Sequence, residues 1–70
     1  MKYTLKELRA RNNLTQEDIA KKLGISRQAY NKIEAEPSKM SVVRLSELAD
    51  ILGVTIGDIF LTDYHTNSEV

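Results

Sequence analysis

The sequence has no cysteine, one proline, three glycines, one histidine and no long apolar run. Without cysteine there is neither a disulfide nor a thiolate metal site. A membrane-crossing helix needs about 20 consecutive apolar residues, and no stretch approaches that length. The N-terminus lacks a secretory pattern, so a soluble cytoplasmic protein without membrane contact is expected. The lone histidine, His65, sits in a polar, aperiodic stretch, where an inert residue is a better expectation than a ligand or base. No glycine-rich phosphate loop, paired-carboxylate motif or nucleophile–base pattern is present. Neither an enzyme nor a cofactor nor a metal site is expected. Internal repeats and low-complexity tracts are also missing.

What is present fits one small domain. Seventy residues bury only about 60% of the surface their unfolded chain exposes, which makes such a domain marginal but able to fold alone. The formal net charge is zero, yet it is segregated. Residues 1–32 hold eight basic and three acidic side chains; residues 33–70 hold two and seven. One end therefore attracts phosphate and the other avoids it.

Five helical segments and no strand are expected. Thr4 with Glu7 three residues on is a capping box for helix 1, and Tyr3 with Leu8 matches a hydrophobic staple. Leu5 and Leu8 face inward, and the helix ends near Asn12–Asn13, since asparagine tolerates the left-handed conformation. Thr15 and Asp18 start helix 2, whose inner face is Ile19, Ala20 and Leu23. Gly24 stops it, because glycine takes positive φ at no steric cost. Ser26 caps helix 3, with Ile25 placed to staple onto Tyr30. A turn of about three residues containing glycine thus joins helices 2 and 3, the connection of a helix-turn-helix. Helix 4 runs from a Ser41 cap to Gly53, with Val42, Leu45, Leu48, Ala49 and Leu52 as core at helical spacing. Thr55 and Asp58 start a short helix 5 containing Ile59 and Phe60, which Gly57 weakens. Residues 1–61 form the domain, and 62–70 a polar tail expected to fray.

Helix 3, about 27–34, carries the functional signal. Advancing about 100° per residue from Arg27, Asn31, Gln28 and Lys32 fall in one half-turn. Ala29, Ile33 and Tyr30 fall in the other, which is expected to pack on helices 1, 2 and 4. Tyr30 is expected in the core with its hydroxyl near the surface, a phosphate contact being the alternative. The outward face offers Arg, Gln, Asn and Lys. A B-DNA major groove is about 12 Å wide and admits one helix; Arg pairs with guanine O6 and N7, and Gln or Asn with adenine N6 and N7. Ser26 and Arg27 stand at the helix N-terminus, which favours anions.

Three segments in order resemble the Cro/C1-type (XRE) helix-turn-helix family: Leu14-Thr15-Gln16-Glu17-Asp18-Ile19-Ala20-Lys21-Lys22-Leu23-Gly24-Ile25-Ser26, then Ile33-Glu34, then Leu48-Ala49-Asp50-Ile51-Leu52-Gly53-Val54. The likeness covers roughly residues 4–61. It implies an all-α, compact five-helix bundle, a lambda-repressor-like DNA-binding domain of bacterial or phage type. By that resemblance Ser26, Arg27, Gln28 and Lys32 face bases or nearby phosphates, with Asn31 on the same face ranked below them. Gln16 resembles a residue that bonds phosphate and braces the recognition helix. Arg9 and Glu34 resemble an ion pair tying helix 1 to the end of helix 3. Lys39, Ser41 and Arg44 lie where members touch the DNA backbone. The family commonly has glycine shortly after the glutamate that ends helix 3; here Ala35-Glu36-Pro37 stands instead, so the exit from helix 3 is expected to differ.

The function expected is a sequence-specific regulator of transcription, most simply a repressor, that binds double-stranded operator DNA. One helix reads few base pairs, so a homodimer on an inverted repeat is expected. Ile56, Phe60, Leu61 and Tyr64 are the candidates for its interface. Two other readings stay open. One is the antitoxin of a toxin–antitoxin pair, with a protein partner on the C-terminal tail; the other is a protein-interaction module on the same scaffold. Without a separate sensing domain, regulation through abundance, a partner or degradation is expected.

Overall fold

The computed structural model describes residues 2–61. Its first three helices start and stop on local signals. Helix α1 (Leu5–Arg11) begins where the Glu7 N–H donates to Thr4 Oγ1 at 3.1 Å and the Thr4 N–H donates to Glu7 Oε1 at 2.8 Å. Helix α2 (Gln16–Leu23) repeats the exchange between Thr15 and Asp18, at 3.0 and 2.9 Å. Helix α3 (Arg27–Ala35) starts on Ser26, whose Oγ accepts the Ala29 N–H at 3.1 Å. Each cap satisfies a backbone donor that the first helical turn leaves without a partner.

A single 3-10 turn, Pro37–Lys39, follows α3. The last long element is α4 (Val42–Leu52), which starts with the Arg44 N–H donating to Ser41 Oγ at 3.1 Å. Gly24 and Gly53 close α2 and α4 at φ 73° and 70°. A Cβ built at either meets nothing within 4 Å. The requirement for glycine there is the left-handed backbone itself and not a shortage of space. Asn13 ends the turn after α1 at φ 57°.

The helices enclose one core. Leu5 and Leu8 of α1, Ile19 and Ala20 of α2, Tyr30 of α3, and Leu45, Leu48, Ala49 and Leu52 of α4 meet there with Ile59. Each fully buried large side chain contributes about 1.5–3 kcal/mol of transfer free energy. Helix α2 packs against both α3 and α4, so the helix pair around Gly24 is held from behind.

Four expectations are corrected by the fold. Four α-helices stand among the described residues where five were expected. In place of helix 5 there is one 3-10 turn, Ile56–Asp58. After it the backbone extends at Ile59, which pairs with Tyr3 as an isolated parallel bridge. The Tyr3 N–H donates to Asp58 O at 2.8 Å and the Phe60 N–H to Tyr3 O at 2.7 Å. Ile59 thus reaches the core by an edge pairing, and Gly57 lies inside the turn that prevents a longer helix. Val42, expected in the core, is 75% exposed, because the first turn of α4 projects past the core that Leu45 begins. Ala29 is exposed as well; the buried stripe of α3 is Tyr30 and Glu34, flanked by half-buried Ile33. Tyr30 is wholly buried, hydroxyl oxygen included, which removes both the surface hydroxyl and the phosphate contact. Residues 62–70, including Tyr64, lie outside the described residues.

Candidate nucleic-acid interface

Helix α3 presents Arg27, Gln28, Asn31 and Lys32 to solvent, above the buried Tyr30 and Glu34. With Gln16 from the start of α2 they line an open depression of about 420 Å³. No ion pair among the described residues engages Arg27 or Lys32. The Ser26 hydroxyl caps the helix through its oxygen, which leaves its hydrogen to donate.

Beneath that face runs a chain of polar contacts. Arg9 Nε donates to Glu34 Oε2 at 2.7 Å, Arg9 Nη2 reaches Oε1 at 3.5 Å, and Arg9 Nη1 donates to Leu14 O at 3.2 Å. The Glu34 side chain is only 6% exposed and that of Arg9 18%. Gln16 Nε2 donates to Glu34 Oε1 and to Asn31 Oδ1, both at 3.1 Å. One carboxylate therefore joins α1, the start of α2 and the exposed face of α3. A buried carboxylate is tolerable here because a guanidinium and an amide satisfy it. With both Nε2 hydrogens engaged, the remaining donor on Gln16 is its backbone N–H at the first position of α2.

The other candidates are more dispersed. Lys39 Nζ pairs with Glu36 at 3.1 Å, and Arg44 Nη1 with Glu47 at 3.1 Å. Exposed pairs of this kind are worth about 0–1 kcal/mol, so either cation can turn to another anion at small cost. Ser41 caps α4. The exit from α3 does differ from a glycine turn: Glu36 sits at φ −134°, ψ 63° and Pro37 is buried. Ile56, Phe60 and Leu61 are exposed at 41%, 42% and 36%.

Sequence reasoning overlooked three features near this face. Lys6 lines a second depression, with Arg9, Gln16, Asn31, Glu34 and Ala35; its place among the basic residues of the first 32 was the available signal. Ala29 lies exposed on α3, offering the kind of methyl surface that meets thymine C5-methyl groups. The contact between Gln16 and Asn31 joins residues 15 apart in sequence, and no periodicity announces it.

Two carboxyls among the described residues are held below their ordinary value. Asp18 is lowered from 3.8 by the Thr15 backbone N–H first and the Thr15 hydroxyl second. Asp58 is lowered in the same way by the backbone and side chain of Thr55; its Oδ2 accepts from the Thr55 N–H at 3.0 Å and from Thr55 Oγ1 at 2.9 Å. Hydrogen bonds to the ionised form favour it. These acids serve helix starts and turns.

Two capped helices around a left-handed glycine, the second bearing an exposed basic and amide face, define a helix-turn-helix. Comparison with known proteins gives the family. A helix-turn-helix family model matches residues 5–59. An HTH-type transcriptional regulator of Methanocaldococcus jannaschii is 49% identical over 61 residues, covering 87% of this chain and 92% of the relative. One from Archaeoglobus fulgidus is 33% identical over 63 residues, covering 90% and 89%. The HTH-type transcriptional regulator YobD of Bacillus subtilis is 38% identical over 60 residues, covering 84% of this chain and 54% of its own length. The chain belongs to the Cro/C1-type (XRE) helix-turn-helix family, whose members are DNA-binding transcriptional regulators and not a class of enzymes. No described helix is long and apolar enough to cross a membrane. These relatives come from archaea and a bacterium.

Proposed function

We propose that this regulator binds double-stranded operator DNA by inserting α3 into the major groove, and that it represses transcription as a homodimer. One observation carries the proposal. Arg27, Gln28, Asn31 and Lys32 form a continuous exposed face of base-reading residue types on a helix fixed from behind by Tyr30 and Glu34. Arg27, Gln28 and Lys32 read base edges, with Ser26 donating at the helix start. The backbone N–H of Gln16, Ser41, Lys39 and Arg44 hold phosphates on either side of the groove. Phosphate contacts set register and much of the affinity, and base contacts set specificity.

A single helix reads too few base pairs to define a site. Two copies related by a two-fold axis read half-sites about 34–36 Å apart. The exposed apolar residues Ile56, Phe60 and Leu61 at one end of the domain are the surface on which the copies meet. Repression follows if such a dimer covers promoter DNA.

Selection of bound duplexes from a random pool tests the proposal as a whole. The expected product is an inverted repeat with two identical half-sites. A pool that stays random after repeated rounds would overturn it.

A further inference from the structure

The depression in front of α3 has a neighbour on each flank. On one side Lys32 also borders a hollow of about 150 Å³ with Ile33, Glu36, Lys39 and Met40. On the other, Gln16 and Asn31 also border a hollow of about 420 Å³ with Lys6, Arg9, Glu34 and Ala35. At about 100° per residue, Asn31, Glu34 and Ala35 fall on one edge of the outward face of α3, and Lys32, Ile33 and Glu36 on the other. The two hollows therefore lie on opposite flanks of the recognition face.

A helix seated in a major groove about 12 Å wide has a sugar–phosphate strand along each lip. Lys39, on one flank, is among the phosphate contacts proposed above. Lys6, on the other, holds the matching place. It is exposed, and no ion pair among the described residues engages it. The acid in its hollow is Glu34, whose side chain is 6% exposed and faces Arg9 at 2.7 Å and Gln16 at 3.1 Å. Arg9 balances Glu34, so the charge of Lys6 is the uncompensated one there. Lys39, by contrast, must leave Glu36 at 3.1 Å to reach an anion. An ammonium is a compact point charge with three rotatable donors and no planar fork, which suits a phosphate oxygen better than the edge of one particular base.

We infer that Lys6, projecting from α1, binds a phosphate of the DNA strand that passes over the hollow between α1 and the start of α2, opposite the strand met by Lys39. The inference rests on the DNA-binding proposal and adds to it a contact from a helix outside the helix-turn-helix. Its contribution is independent of sequence.

The test measures affinity against salt for the full chain and its Lys6→Ala and Lys6→Arg variants, on the duplex that the wild type selects and on a random-sequence duplex. Lys6 is exposed, and alanine and arginine both favour helix, so the fold is retained; equal Tm values check this. Each phosphate neutralised adds about 0.9 to the log–log salt slope. Lys6→Ala should therefore lower the slope by about 0.9 and weaken binding about fivefold at physiological salt, by the same factor on both duplexes. Lys6→Arg should keep the wild-type slope. A wild-type slope and affinity in Lys6→Ala would overturn the inference and leave DNA binding intact. So would a loss confined to the selected duplex, which marks a base contact, or a slope in Lys6→Arg as low as in Lys6→Ala, which marks a role other than charge. Failure of the wild type itself to bind either duplex would overturn the DNA proposal and this inference together.

Discussion

Arg27 and Gln28 stand at the start of α3, exposed and outside the contacts that brace the helix, so their removal should leave the fold unchanged. Arg27→Ala or Gln28→Ala is expected to cost about 1–3 kcal/mol on the selected site and to relax preference at one base position. Competition between the selected site and random DNA checks this; equal losses on both would contradict a base-reading role. Arg9 behaves differently. Arg9→Ala leaves the Glu34 carboxylate buried with Gln16 as its remaining side-chain partner among the contacts described above, and should destabilise the domain by about 3 kcal/mol. Lys39→Ala and Arg44→Ala break exposed pairs and should each stay within about 1 kcal/mol. Denaturant unfolding of the three variants separates these cases.

At the scale of elements, stability depends on the caps. Ser26→Ala should cost about 1 kcal/mol, seen as a lower denaturant midpoint, because the Ala29 N–H loses its acceptor. The Asp18 carboxyl is depressed in the folded state. Its contribution is therefore present above its ordinary value of 3.8 and is lost as pH falls from there through the lower folded value. Asp18→Asn should show a smaller loss of Tm than the wild type over that acid interval, and parallel Tm curves would refute the assignment. Most helix boundaries were legible because these signals are local: Thr4 with Glu7, Thr15 with Asp18, Ser26, Ser41, and the glycines at 24 and 53. What escaped depends on tertiary surroundings. Periodicity marks Val42 and Ala29 as apolar-face residues, but whether a first turn or a small side chain meets the core depends on where the neighbouring helices end. Thr55 and Asp58 do start a turn, yet its continuation is decided by Tyr3, far away in sequence, which draws Ile59 into an extended pairing. Within the candidate site, residue types and spacing pointed to α3. The link between Gln16 and Asn31 was invisible, since it depends on how two helices face each other. Arg9 and Glu34 were singled out by family resemblance alone.

The whole molecule is neutral only on average, with its positive charge concentrated in the first 32 residues. Binding should therefore weaken steeply as salt rises, with a linear log–log dependence whose slope counts the phosphates neutralised. A flat plot would argue against DNA as the ligand. Phe60→Ser and Leu61→Ser should weaken dimer formation in sedimentation and reduce affinity for the full inverted repeat more than for a half-site, if those exposed side chains join two copies. The hydrogen bonds among Tyr3, Asp58 and Phe60 have another consequence. They set the two ends of the described domain side by side, so its closure does not depend on which peptide bond is left open. A circular permutant with a short bridge from residue 61 to residue 2, opened instead between the exposed residues Ser38 and Lys39, should fold with its recognition helix in place.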